Sequence, residues 1–178
     1  MIEESARCVI VMGVSGSGKT TIAEDLAELL GWTYAEGDDF HPQANRDKMA
    51  SGTPLTDEDR WPWLRTIADW ISAKGESGES AVVTCSALRR AYREVLEAGN
   101  PHVQFCHVAV SPIELASRMQ EREGHYMPAS LLQSQLDTLE PLGDDEPGIT
   151  VVAEGPPDRV FEQVVEELRA SWTATDQA

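Results

Sequence analysis

Positive charge is scarce in this chain. Its 178 residues carry 14 Lys and Arg against 31 Asp and Glu, a formal net charge of -17. Nucleic-acid binding depends on cationic side chains that neutralise phosphates, and a field of this sign repels DNA, RNA and anionic membranes. The balance argues against nucleic-acid and membrane-surface functions and confines any anionic ligand to a locally basic pocket. Cysteine is scarce as well. Cys8, Cys85 and Cys106 form no CxxC pair, and each lies in or beside an apolar run, the pattern of buried, reduced thiols. The four histidines are not spaced as metal ligands, so no protein-bound zinc is expected. No apolar run approaches the roughly 20 residues that span a bilayer. The start Met1-Ile-Glu-Glu-Ser5 is acidic, unlike the basic start of a signal peptide. Together these absences predict a cytoplasmic protein. Internal repeats, linkers and low-complexity tracts are also missing, and the length suits one domain over residues 1–178.

What is present alternates. Cys8–Met12 is a short continuous apolar run, suited to a strand buried on both faces; Ala81–Cys85 reads as another buried strand and Val103–Val110 as a strand as well. Trp32–Glu36 and Ile149–Ala153 read as two further strands. Between them lie helical patterns: a stripe of Ile22, Leu26, Leu29 and Leu30 ended by Gly31, then Asp57–Ser72, Ala87–Ala98, Pro112–Glu123, and a last helix carrying Val160, Phe161, Val164, Val165, Leu168 and Trp172. Lys74–Glu79 reads as a polar turn, and the tail 173–178 as frayed. Strands alternating with helices predict an α/β fold, a parallel sheet covered by helices on both faces.

The first chemical motif is Gly13-Val-Ser15-Gly16-Ser17-Gly18-Lys19-Thr20, which fits G-x-x-x-x-G-K-[ST] between a predicted strand and a predicted helix. Glycines let the backbone turn tightly and bring its N–H groups onto phosphate oxygens. The following helix offers its positive end to the anion. Lys19 is placed to reach the β- and γ-phosphates, and the Thr20 hydroxyl to meet Mg²⁺. With Thr21 beside it, this loop predicts nucleotide binding but not the use made of the nucleotide.

Glu36-Gly-Asp38-Asp39-Phe-His41-Pro42 follows the second strand, at the sheet edge where ligands bind in such folds. Its carboxylates suit either metal orientation and proton acceptance or a solvated acidic loop, and the local reading leaves both open. The run resembles the GD-x-x-HP element of gluconate kinases. Lys48-Met-Ala-Ser-Gly52-Thr-Pro54-Leu-Thr-Asp57-Glu-Asp59-Arg60-Trp-Pro62-Trp-Leu64 resembles that family's KMxxGxPLxDxDRxPWL, and Cys85-Ser86-Ala-Leu88-Arg-Arg90-Ala-Tyr92-Arg93 its CSALKxxYR. Arg118–His125, with Leu131, Gln135 and Leu139-Glu140, resembles its lid and following helix. The likeness runs from about Val11 to about Pro141.

The resemblance implies a three-layer, shikimate-kinase-like P-loop fold with five strands in the order 2-3-1-4-5 and a mobile lid at about 118–130. It implies transfer of the ATP γ-phosphoryl group to the 6-hydroxyl of D-gluconate, and a homodimer. On these positions, Lys19, Asp38 and Arg122 are the catalytic candidates, with Asp38 accepting the hydroxyl proton and Arg122 closing on the transition state. Gly13, Ser15, Gly16, Ser17, Gly18, Lys19, Thr20, Thr21 and Arg118 would hold ATP, and Thr20 and Glu36 would serve Mg²⁺. Arg60 is the candidate partner of the substrate carboxylate, because a guanidinium can donate two parallel hydrogen bonds to it. His41, Lys48, Ser86, Arg90, His125 and Gln135 complete the substrate-binding candidates. The family often has Asp at position 36 and Lys at position 89, where this chain has Glu and Arg. Trp61, Trp63, Leu64 and Trp70 suit core or pocket wall, and Tyr92 and Arg93 suit pairing with acidic neighbours. Arg118 and Arg122 share a helical face with Glu114 and Glu121 near them, so ion pairing competes with an ATP role. The Gly143–Gly148 loop is a positional candidate for adenine. The alternatives are a kinase acting on shikimate or a nucleoside monophosphate, or a non-enzymatic nucleotide-binding module. A GTPase switch is disfavoured: Asp145-Glu-Pro-Gly148 fits DxxG only near the C-terminus, and there is no NKxD.

Overall fold

The apolar runs become the centre of a parallel sheet. A computed structural model describes residues 5–121 and 129–178. Its strands are β1 (Cys8–Met12), β2 (Thr33–Ala35), β3 (Ala81–Thr84), β4 (Val103–Ala109) and β5 (Gly148–Val152), in the order β2-β3-β1-β4-β5. Every pairing is parallel, with Ile10 beside Val83 on one side and Phe105 on the other. All five residues of β1 and all four of β3 are buried. Helices cover both faces, so alternation of polar and apolar residues has no place in these strands.

The helices are α1 (Lys19–Leu30), α2 (Gln43–Ala50), α3 (Asp57–Glu76), α4 (Arg90–Glu97), α5 (Pro112–Glu121), α6 (Ala129–Thr138) and α7 (Pro157–Asp176), with one 3-10 turn over Gly37–Phe40. Successive side chains of β1 point to opposite faces and divide the core in two. Cys8, Ile10 and Met12 pack with Trp63, Leu64, Ile67 and Ile71 of α3 and Tyr92 and Leu96 of α4. Val9 and Val11 pack with Ile22 and Leu26 of α1 and Val160, Val164 and Leu168 of α7. The three cysteines are free and buried, and burial pushes each thiol up to about 12.

Several boundaries differ from expectation for local reasons. The polar turn expected from Lys74 begins later, because α3 continues to Glu76. Glu79 accepts from Lys74 and Ser77 and closes that helix end from outside. The tail is not irregular from 173. Instead α7 runs to Asp176, whose carboxylate takes the Arg7 guanidinium at 2.7 and 2.9 Å, while Trp172 donates to Gln104 at 2.6 Å. The helix expected from Ala87 starts at Arg90, since Ala87 adopts φ 46, a left-handed backbone that no helix continues. The 3-10 turn and α2 were not expected at all.

Candidate active site

All five strands point their C-terminal ends the same way, and β1, β2 and β3 deliver their loops to a single cleft of about 940 Å³. The glycine-rich loop forms its floor. Gly16 and Gly18 take φ 81 and 92, a region that a Cβ disfavours. Gly18 caps α1 without any side-chain acceptor, so the first-turn N–H groups remain available to an anion. A Cβ on Gly13 would meet the Val108 carbonyl oxygen at 2.8 Å, with the buried Ser17 hydroxyl close behind. Lys19 Nζ donates to the Val14 carbonyl at 3.0 Å. Burial lowers its pKa, while the Asp38 and Glu36 carboxylates pull it back up. The Ser15 N–H, one of the amides expected to face phosphate, donates to Gln135 Oε1 at 2.7 Å. Gln135 on α6 thus rests against the glycine-rich loop. Thr20 and Thr21 also face the cleft.

The acidic edge is built by β2 and the turn after it. Glu36 Oε2 accepts from Thr20 Oγ1 at 2.9 Å and from Tyr34 Oη at 2.6 Å. The two candidate metal residues thus meet beside the loop, and Tyr34, which sequence reasoning missed, fixes the longer carboxylate. Gly37 makes this close approach possible. Its N–H donates to Thr84 Oγ1 at 2.9 Å, its carbonyl accepts from Trp63 Nε1 at 2.8 Å, and a Cβ there would overlap the Thr84 carbonyl oxygen. Asp38 opens onto the cleft mouth, yet the surrounding protein desolvates it and raises its pKa, against the pull of the Lys19 ammonium. His41 is buried and stacks on Trp63 with ring centroids 4.1 Å apart. Desolvation, helped by Arg46 and Arg60, lowers it to about 4.

Arg60 enters the cleft from the first turn of α3, a helix started by a Thr56–Asp59 capping box. Its guanidinium donates to Tyr92 Oη at 2.8 Å, and the Tyr92 hydroxyl donates onward to Asp57 at 2.5 Å. Asp57 also lies 3.7 Å from Arg60 and 3.6 Å from Arg89. Opposite stand Ser86 and Leu88, on either side of the left-handed Ala87. That segment is held from beneath by Arg93, which is fully buried. Arg93 donates to the Ala87 carbonyl at 2.8 Å and to Glu146 at 2.7 and 3.0 Å. Burial alone would raise the Glu146 carboxyl, but the hydrogen bonds from Arg93 and the Gly143 N–H outweigh it and hold it low.

Not every candidate is brought together. Arg90 does not reach the cleft: it takes both oxygens of Asp145, at 2.9 and 2.5 Å. Those two loop acids, Asp145 and Glu146, are thus committed to arginines. Lys48 Nζ sits 2.7 Å from Asp59, whose pKa its hydrogen bond lowers to about 2. Arg118 makes the expected helical pair with Glu114 at 3.1 Å, yet also donates to the carbonyls of Ser17 and Ala153 at 3.4 and 3.3 Å, so it ties the back of the phosphate loop to the end of β5. Arg122 and His125 lie outside the described residues. Among the described residues, no group of three or more His, Cys, Asp or Glu side chains could hold a metal ion.

The comparisons with known proteins agree with this architecture. A family model described as AAA domain matches residues 8–142. A gluconokinase of Gluconobacter oxydans is 54% identical over 164 residues, covering 92% of each chain. The chain belongs to the gluconokinase family. Among solved structures, a sugar kinase from Janibacter sp. superposes with a TM-score of 0.88 at 52% identity, covering 92% of this chain and 95% of that one. A gluconokinase from Sinorhizobium meliloti does so with a TM-score of 0.87 at 39% identity, covering 98% of both. Membership explains why one chain carries both a phosphate loop and a polar, arginine-bearing wall facing it: the family's enzymes are ATP-dependent kinases. No described helix is long and apolar enough to cross a membrane.

Proposed function

We propose that the protein transfers the γ-phosphoryl group of ATP to the 6-hydroxyl of D-gluconate, giving 6-phosphogluconate and ADP. The observation that carries this reading is the placement of Asp38 and Arg60 in one cleft with Lys19. A proton acceptor and a carboxylate clamp there face the phosphate loop. The acceptor hydroxyl donates its proton towards Asp38, whose raised pKa makes it a stronger base than a free carboxylate. Orientation matters as much as basicity, since phosphoryl transfer passes through a loose transition state. Arg60, already aligned by Tyr92, pairs with the gluconate carboxylate and sets the far end of the chain. His41, Ser86 and Gln135 supply polar contacts between the two. Lys19 swings from the Val14 carbonyl to the β- and γ-phosphates.

Thr20 and Glu36 fit Mg²⁺, a hard ion that keeps several waters and rarely needs an all-protein cage. Bound there with the nucleotide, it would neutralise charge on the phosphate oxygens. The reading carries with it a cytoplasmic location and a homodimer. Initial rates of ADP release with Mg·ATP and a panel of D-gluconate, other sugar acids, shikimate and nucleoside monophosphates test it. Turnover confined to gluconate is expected. Turnover with shikimate or a nucleotide in its place would move the chain to another acceptor class.

A further inference from the structure

The hydrogen bonds around His41 settle which of its ring nitrogens carries the proton. Asn45 on α2 is buried, and its side-chain Nδ2 lies 2.9 Å from the Asp59 main-chain carbonyl. A carbonyl oxygen only accepts, so this atom must be the amide nitrogen; the flipped amide would set two acceptors against each other. The same Nδ2 lies 3.1 Å from His41 Nδ1. An amide nitrogen only donates, so Nδ1 must accept and be unprotonated. In a neutral ring the proton is then on Nε2.

The rest of the ring is fixed too. One face stacks on Trp63 at 4.1 Å, with planes 14° apart, and the His41 carbonyl is held by Arg46 Nε at 3.2 Å. Nε2 makes no hydrogen bond among the described residues and stands 4.0 Å from Asp38 Oδ1 in the cleft wall. That gap is too long for a direct hydrogen bond. An oxygen about 2.8 Å from each atom fits it, with an angle at that oxygen of about 90°, within reach of a hydroxyl that accepts from one side and donates to the other.

We propose that Asn45 is a positioning residue that fixes His41 as its Nε2–H tautomer, so that His41 presents a neutral donor to a hydroxyl of the sugar acid lying against Asp38. The substrate half of this statement rests on the gluconate reading; the tautomer half does not. The charged groups facing the ring are Asp38 from its own loop, Arg46 from α2 and Arg60 from α3, and the two arginines together with burial disfavour the imidazolium. A neutral ring is what the geometry requires, because an imidazolium would set an Nδ1 proton against the Asn45 amide.

The test reads the tautomer directly. Long-range ¹H–¹⁵N spectra of the full chain labelled at histidine, with His41 assigned by its loss in His41→Gln, are expected to show Nε2 protonated and Nδ1 bare without any substrate. A proton on Nδ1 would overturn the proposal, whatever the acceptor proves to be. Kinetics supply the second arm. Asn45→Leu is expected to raise KM for gluconate about tenfold, the scale of one lost hydrogen bond, with KM for ATP unchanged. A Gln side chain can set its own N–H where Nε2 stood and has no tautomer to lose. In the His41→Gln background the same Asn45→Leu change should therefore cost less than about twofold. Equal losses in both backgrounds would make Asn45 merely structural. Should Asn45→Leu fail to fold, the wild-type spectrum still decides. A correct tautomer combined with no turnover of gluconate would sink the substrate reading and leave the role of Asn45 intact.

Discussion

On the proposed reading Asp38 takes the proton and Arg60 the carboxylate, so their substitutions should separate in kinetics. Asp38→Asn keeps the shape but cannot take a proton, so kcat should fall by about 10²–10⁴, the usual range for a general base, with KM for gluconate little changed. Arg60→Ala removes a charge-assisted partner of the ground state as well as the transition state. KM for gluconate should rise roughly 10- to 100-fold while kcat changes less. Steady-state kinetics with both substrates varied check both. A drop in kcat alone for Arg60→Ala would place the carboxylate elsewhere. At this scale the phosphate loop was legible because its spacing is dictated by backbone contact with phosphate. Tyr34 and Asn45 were not, because each acts through a single hydrogen bond to a neighbouring side chain and leaves no periodic trace in the sequence. Arg90 reads from the sequence as a substrate-binding residue, but its partner is Asp145, which lies 55 residues away in the chain.

Between elements, the Arg93–Glu146 pair joins α4 to the loop before β5 and sets the Ser86–Leu88 wall. Both side chains are almost wholly buried. Glu146→Gln leaves a buried guanidinium without its counter-charge, and such losses cost about 3–5 kcal/mol. Urea unfolding should show a midpoint lowered accordingly, whereas a change under about 1 kcal/mol would mean that water replaces the carboxylate. Gly37→Ala should be comparably damaging, because the added methyl overlaps the Thr84 carbonyl. Strand positions were legible from sequence since burial on both faces writes continuous apolar runs such as Cys8–Met12. The helix α2 was not: of its eight residues only Asn45 is buried, so it has no apolar stripe. Its start after Pro42 and its bond to Asp59 come from tertiary contacts. Ala87 was misread as helical because alanine favours helix, while Arg93 and the sheet edge impose φ 46.

Across the whole molecule, two buried histidines couple the fold to pH. His41 and His107 are both lowered to about 4, chiefly by desolvation. The unfolded chain binds their protons below about 6.5, but the folded chain does so only near 4. Stability from these groups is therefore full above pH 6.5 and falls as pH drops from 6.5 to 4. Unfolding free energies measured across that window should decline, and His107→Gln should flatten part of the slope. A flat profile in the wild type would mean that the rings are already solvated. The excess of acidic groups, a net charge of -17, leaves Lys19 and Arg60 as the cationic side chains on the cleft wall among the described residues. The most direct measurement is the structure of the product, read by ³¹P and ¹H NMR after incubation with Mg·ATP and D-gluconate. The account predicts one phosphomonoester whose phosphorus couples to the two protons on C6. A phosphate on any other oxygen, or ATP left intact beside gluconate, would contradict it.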